Sequence, residues 1–321
     1  MNSRFSRMTL LNVRPEWTSD LYRFGEILKT SVVFFTVLLS AASLPAQTRR
    51  NYTVDLENRN PAVGSLIVVV TEANPAGIPV GIRGFASGAL IGDRVFLTCG
   101  HCVGPGLHGL PPFVKLYVTF SPTALDQSSW IPVSSLAGHP TLPPCPIFVG
   151  CDPTTTGAFQ AGDPAVADLG LVFLSRSAGI KPAPLAAPGS LQEPQSSFIP
   201  STTIGYGHEF PVDRVHLGAV WDGLRKFRTS RLAKVLNAVW ASWELPSSVC
   251  YGDSGSPTFL NNLPEALLDR RPIAAIASDG GIDCLSKDIR VRVDTYAVQQ
   301  WIKDTVGREL GSQAVLQIGI R

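Results

Sequence analysis

Apolar residues in this chain come in short runs broken by glycine, proline and aspartate, the rhythm of β-strands joined by turns. Ser65 to Val70 and Val95 to Thr98 are rich in β-branched or apolar residues. Val114, Leu116, Val118 and Phe120 alternate with Lys115, Tyr117 and Thr119, the period of two that a half-buried strand requires. Leu169 to Leu174 and Ile273 to Ala277 hold no polar residue and predict fully buried strands. Two stretches break the rhythm. Ser121 to Ala165, rich in Pro, Gly and Thr, reads as a long decorated loop; Gly179 to Pro200, with five prolines, reads as a connector between two halves. Near the end the period lengthens: Val298, Trp301, Ile302 and Val306 keep helical spacing with Gln299, Gln300, Lys303 and Asp304 between them. The pattern predicts an all-β protein of two barrels or sandwiches, closed by one amphipathic C-terminal helix.

The beginning of the chain follows a different logic. Val32 to Ala42 is a largely apolar run with Lys29 before it and Leu44-Pro45-Ala46 after it, the order of a secretory signal cleaved after Ala46. It is shorter than the roughly 20 residues a membrane span needs. Its leader carries five basic and three acidic residues, which leaves a later translation start, a long signal and a membrane anchor all open. Residues 47–60, polar and bearing Arg49, Arg50, Asp55, Glu57 and Arg59, read as a linker or short propeptide. Export implies a secreted or periplasmic protein, with no stable membrane association once the signal is gone.

Composition then removes whole classes of function. Of 321 residues 45% are hydrophobic and 16% charged, enough apolar surface for a large core and too much for a disordered chain. The formal charge is +2 and no basic cluster interleaves with aromatics, so nucleic acid is not an expected partner. Six cysteines in an exported chain suggest disulfides. Cys99 and Cys102 form a C-x-x-C, but His101 sits inside it and no second pair follows. The five histidines (101, 108, 139, 208 and 216) have no metal-ligand spacing, so neither metal nor cofactor is expected.

Three segments carry the candidate chemistry: Leu97-Thr98-Cys99-Gly100-His101-Cys102, Ala167-Asp168-Leu169-Gly170-Leu171-Val172, and Cys250-Tyr251-Gly252-Asp253-Ser254-Gly255-Ser256-Pro257. A serine hydroxyl is a weak nucleophile near neutral pH and needs a base to take its proton. That base needs a partner to fix its tautomer and stabilise the imidazolium. One histidine, one carboxylate and one glycine-wrapped serine meet that need. Asp163 competes with Asp168, which is preferred because the apolar Leu169 to Leu174 run follows it directly.

In the order His, Asp, Ser, these segments resemble the trypsin-like (chymotrypsin-fold) serine proteases, in particular their secreted bacterial branch. Gly88-Ala89-Leu90-Ile91, Gly205-Tyr206-Gly207 and Ser278-Asp279-Gly280 extend the resemblance through most of the mature chain. It implies two six-stranded antiparallel Greek-key barrels with a C-terminal helix. Residues 61–178 would form the first barrel, 179–200 the linker, 201–296 the second barrel, and 297–321 the helix and tail. It further implies Ser254 as nucleophile, His101 as general base and Asp168 as its orienting partner. The oxyanion hole would come from the backbone N–H groups of Gly252 and Ser254; the backbone from Ser278 to Gly280 would bind the substrate in extended form, and the Ser278 side chain would support Asp168. The implied activity is peptide hydrolysis by a monomer through an acyl-enzyme, on a protein or peptide substrate. A catalytically inactive binding protein of the same fold and an esterase with the same triad are the alternatives.

The departures from that pattern are specific. The family pairs the cysteine after its histidine with one on the preceding strand, where this chain has Ala86, so Cys102 and the extra Cys99 are left with an open pairing. By resemblance Cys250 pairs with Cys284, and Cys145 with Cys151 forms an easy local bridge. In zymogen-type relatives the counterpart of Asp253 meets a freed N-terminal amine. Here Asn60-Pro61-Ala62-Val63-Gly64 replaces the usual new terminus, so cutting at Arg59 and activation without insertion stay equally open. Ser248, six residues before the nucleophile, occupies the pocket base. Asp288 on the opposite wall would favour Arg or Lys; without it the pocket would favour apolar side chains.

Overall fold

A computed structural model describes residues 52–73, 80–104, 110–143, 161–191, 199–208, 221–244, 249–261, 271–280, 287–311, 314, 316 and 318–320. The first barrel is built from β2 (Val63–Val70), β3 (Gly81–Gly92), β4 (Val95–Thr98), β5 (Val114–Thr119), β6 (Ile131–Gly138) and β7 (Gly170–Leu174), after a short β1 (Thr53–Val54). These six strands close in the antiparallel ring β2-β3-β4-β7-β6-β5. The second region holds β8 (Leu185–Ala186), β9 (Pro200–Gly205), β10 (Lys226–Val235), β11 (Trp240–Glu244), β12 (Pro257–Leu260), β13 (Ile273–Asp279), β14 (Asp288–Arg292) and β15 (Ile318–Ile320). Here β9-β10-β11-β14-β13-β12 closes through the β12–β13 and β12–β9 pairings, so the second ring repeats the strand order of the first. Both rings jump from the third strand to the sixth, the Greek-key crossover. The all-β class and the two six-stranded barrels inferred from the sequence are therefore the observed architecture.

The strands read from the hydrophobic pattern are all present, and two segments read as irregular are not. β6 lies inside the stretch expected to be a loop; Pro132 and the Ser134-Ser135 pair mask it in sequence, yet it bridges β5 and β7 and closes the barrel. The connector carries β8 and buries Ala183, Leu185, Ala186 and Leu191 against the second barrel. Closure removes the open edges that would otherwise invite pairing with other chains.

The interiors of the two barrels differ. Leu66, Val68, Leu90, Phe96, Val118 and Val172 fill the first with apolar side chains. The second contains Arg290, fully buried, whose guanidinium is ion-paired with Asp288 (Nε–Oδ1 2.7 Å, Nη2–Oδ2 2.8 Å), bonded to the hydroxyls of Thr203, Thr258 and Ser230, and stacked 4.7 Å from the Trp243 ring. A charge is tolerated at such a place only when paired and hydrogen-bonded in this way.

The C-terminal helix α1 (Tyr296–Leu310) starts at Thr295, whose hydroxyl accepts the Val298 N–H, and stops at Gly311, which has φ +85°. Of the residues that the spacing put on its apolar stripe, Val298, Ile302 and Val306 are buried and Trp301 is half-buried. Gln299 is also buried, because its amide donates to the carbonyls of Ala186 (2.7 Å) and Val293 (3.0 Å). Among the described residues no helix is long and apolar enough to cross a membrane. Residues 1–46, read as a signal, lie outside the described residues. The part of the expected linker that is described, 52–60, is bound into the second sheet. β1 pairs with β10, and Asp55 is buried in an ion pair with Arg225 (3.0 Å). Arg225 also donates to the carbonyls of Val63 and Phe120 and to Asn58, so the polar residues of this segment enclose a buried cation.

Candidate active site

β4 and β7 are neighbours in the first barrel, with Thr98 opposite Gly170. The chain leaves β4 just as it enters β7, so the residues following Thr98 and preceding Gly170 meet at the same end of the sheet. After Thr98 the backbone turns tightly, with Cys102 N–H bonded to Cys99 O and Val103 N–H to Gly100 O, and the turn presents His101. A disulfide between Cys99 and Cys102 clamps it. This is the pairing left open by the sequence. The sulfurs lie with a His101 ring nitrogen inside 4.8 Å, but joined to each other they offer no thiolate to a cation.

Asp168 is fully buried and receives three bonds. His101 N–H donates to Oδ1 (2.7 Å), His101 Nδ1 lies 2.7 Å from Oδ2, and Ser278 Oγ on β13 also donates to Oδ2. Burial pushes the Asp168 carboxyl toward neutrality, but the attraction and hydrogen bond of His101, with those from Ser278 and the His101 backbone, outweigh it and hold its pKa below the ordinary value. Burial likewise opposes charge on His101, and the Asp168 attraction and bond, helped by Asp279, raise its pKa above the ordinary 6.5. With Asp168 ionised, Nδ1 carries the ring proton and Nε2 is the basic nitrogen. The His101 side chain is 22% exposed, so a reacting group can reach it. Asp163 takes no part: its carboxylate caps Ala165 N–H and its carbonyl accepts the Trp240 indole.

The glycine-wrapped serine lies in a turn fixed from both sides. Asp253 N–H bonds to Cys250 O (2.9 Å), Gly255 N–H to Ala277 O (2.7 Å) and Ser256 N–H to Asp253 O (2.8 Å). Gly252 (φ +87°) and Gly255 (φ +83°) adopt the left-handed backbone that only glycine takes without strain. At Gly255 the crowding is extreme, since a Cβ would lie 2.1 Å from Thr98 Oγ1 and 2.2 Å from Ser87 O. The serine turn therefore sits directly on the strand that leads to His101. Among the described residues, neither Gly252 N–H nor Ser254 N–H donates a hydrogen bond, while the Asp253 and Gly255 amides between and after them do. Ser254 is half-buried and its Oγ makes no hydrogen bond among the described residues, including none to His101.

The partners of Asp253 bear on a question the sequence left open. Its buried carboxylate is ion-paired with Arg228 (2.8 Å) and accepts the N–H groups of Gly207 (2.9 Å) and Cys250 (3.0 Å). Arg228 reaches on to His208 O, and its guanidinium lies 5.6 Å from the Tyr52 ring, so an internal cation holds this carboxylate. Gly207 must lack a side chain, because a Cβ there would lie 2.2 Å from the Asp253 carboxyl. Nothing in the local sequence marked Arg228; it stands on β10 among other basic residues, and only the strand pairing aims it at Asp253.

On the strand expected to carry the substrate, the Ser278 hydroxyl donates to Asp168, as the resemblance implied, and Gly280 packs beside Val249 with Asp288 just beyond. Asp288 is 1% exposed; besides Arg290 it accepts Val249 N–H (3.2 Å). A pocket carboxylate open to a cationic side chain is therefore not what Asp288 provides. Ser248, Cys284, Cys145 and Cys151 lie outside the described residues. Cys250 is disulfide-bonded, to a partner also outside them.

The backbone is similar to that of the solved structure of HL collagenase, with a TM-score of 0.55 and 15% identity, over 80% of this chain and 98% of that one. At that identity the likeness speaks for the fold. No family model and no curated protein sequence matches the chain.

Proposed function

We propose that this protein is an exported serine hydrolase that cleaves peptide bonds. Ser254 Oγ attacks the substrate carbonyl, His101 Nε2 takes the hydroxyl proton and returns it to the leaving amine, and water then releases the acyl group by the reverse use of the same base. Asp168 keeps the proton on Nδ1 and balances the imidazolium. The oxyanion meets the N–H groups of Gly252 and Ser254. The observation that carries this reading is the pairing of a buried, three-times-bonded Asp168 carboxylate on His101 with a neighbouring serine turn whose two alternate amides are undonated. The Arg228–Asp253 pair supports a site formed without insertion of a new N-terminal amine.

The missing Ser254–His101 bond favours one rival, a binding protein that retains the fold without turnover. Catalytic hydrogen bonds are often unmade before substrate arrives, which keeps the hydrolytic reading ahead. A fluorophosphonate probe separates the two. Labelling of the processed wild type but not of Ser254→Ala is the expected result; an unlabelled wild type establishes the binding role. Comparing turnover of matched peptide and ester substrates distinguishes a peptidase from an esterase.

A further inference from the structure

The hydrogen bonds that shape the nucleophile turn do not all come from its own barrel. Ser87, fully buried on β3 of the first barrel, makes two of them and a third bond to the neighbouring Tyr206. Its N–H donates to Ser254 O (2.8 Å), its Oγ donates to Gly252 O (2.8 Å), and the same Oγ accepts Tyr206 N–H (2.9 Å). Its carbonyl is held in turn by Thr98 Oγ1 (2.6 Å), three residues before His101. The two carbonyls that Ser87 binds belong to the peptide units on either side of the one that carries Ser254 N–H. That unit is therefore bracketed. Gly252 has φ +87°, and a glycine peptide turns over readily unless its carbonyl is engaged. The hydroxyl of Ser87 engages it. The surroundings leave little room to shift, because a Cβ on Gly205 would lie 2.0 Å from Ser256 Oγ, 2.6 Å from Asp253 Oδ1 and 3.0 Å from Ser87 Oγ.

We propose that Ser87 is a positioning residue of the hydrolytic site: from the opposite barrel, its hydroxyl fixes the Gly252–Asp253 peptide plane, which lies between the two planes whose N–H groups bind the oxyanion. This rests on the hydrolytic reading above. It says that the step in which charge develops depends on a side chain that touches neither substrate nor the triad.

The test uses full-length processed protein. Ser87→Ala and Ser87→Gly both keep the main-chain bond to Ser254 O and lose the hydroxyl, while Ser87→Thr keeps it. Removing an oxyanion donor outright lowers kcat by about 10²–10³-fold, so misaligning one should lower it roughly 10- to 100-fold. The expected result is that fall in kcat for the Ala and Gly variants, with KM within about twofold of wild type and partial recovery in the Thr variant. A peptide aldehyde, whose adduct places an oxyanion at the same donors, should lose affinity in parallel, whereas a non-covalent product peptide should not. All assays run below each variant's unfolding midpoint, and the Gly variant stands in should the Ala variant not fold. Variants that match wild-type kcat, or that lose product-peptide affinity as much as kcat, overturn the inference alone. A wild type that neither turns over substrate nor takes up a fluorophosphonate overturns the hydrolytic reading, and this inference with it.

Discussion

Replacing Arg228 with Met tests whether Asp253 is held by an internal cation. The substitution keeps most of the side chain's volume and removes its two contacts on the carboxylate, 3.0 Å to Oδ1 and 2.8 Å to Oδ2, with the bond to His208 O. Asp253 is then a fully buried anion with only the Gly207 and Cys250 amides for support. Breaking one side of a buried pair costs about 3–5 kcal/mol, because the surviving charge is left uncompensated. At roughly 2–4 °C per kcal/mol for a domain of this size, the unfolding midpoint should fall by roughly 6–20 °C. Hydrolytic activity should fall with it, since Asp253 anchors the turn on both sides of Gly252. Adding Asp253→Asn removes the orphaned charge, so the double variant should be more stable than Arg228→Met by at least about 2 kcal/mol, a coupling that a double-mutant cycle reads directly. Denaturant titration of the four proteins is the assay. A loss under about 1 kcal/mol for Arg228→Met, or strict additivity in the cycle, refutes the reasoning.

Four further outcomes follow from the same geometry. In the proposed mechanism His101 serves as base only when neutral, and its pKa is raised, so the acid limb of kcat/KM should lie above pH 6.5 and move to lower pH in Asp168→Asn, which should also lose roughly 10⁴-fold in rate. The linked stability has two signs: the His101 contribution is complete below pH 6.5 and fades as pH rises through its folded pKa, whereas that of Asp168 holds above pH 3.8 and fades as pH falls through its lowered pKa, both readable from unfolding midpoints against pH. Gly255→Ala should fail to fold or lose activity outright, because its Cβ would strike Thr98 and Ser87, while Gly252→Ala, with its nearest atom 3.3 Å away, should fold with a strained turn and reduced kcat; thermal scans with probe labelling check the contrast. With Asp288 claimed by Arg290, a peptide library should show cleavage after uncharged side chains in preference to Arg or Lys, and a preference for Arg or Lys would contradict that assignment.

What was legible in the sequence is what chemistry or periodicity constrains locally. His101, Asp168 and Ser254 stood out because a base, an orienting carboxylate and a glycine-wrapped alcohol each require one residue type beside one kind of turn. Strands such as Val114–Thr119 stood out because burial on one face imposes a period of two. Ser87, Arg228 and Arg290 did not, because their meaning lies in partners that only the barrel pairings bring near: Ser87 is 165 residues from the carbonyl it binds, and Arg228 is 25 from its carboxylate. Polarity also misled in one direction. Residues 52–60 read as a linker since their charged side chains point to solvent in most settings, yet Asp55 is buried because Arg225 needs a counter-ion there. β6 was hidden by a proline opposite Tyr117 and by two serines whose hydroxyls find partners away from the strand, Ser134 on Phe173 O and Ser135 on Glu309 Oε2.

The same contacts explain why two barrels are needed for one site. The first supplies His101 and the Asp168 carboxylate on a single pair of strand ends, but Ser278 of the second completes the shell around Asp168. The second supplies the serine turn, but Ser87 and Thr98 of the first occupy its carbonyl side. With the Gly252 and Ser254 carbonyls satisfied inward by Ser87, the amides of Gly252 and Ser254 remain undonated among the described residues. An anion forming on the substrate is the group that such donors stabilise most, since they are already aimed and need not reorganise as the charge appears. Each barrel thus fixes the half of the chemistry that the other presents, and the interface between them acts as part of the site.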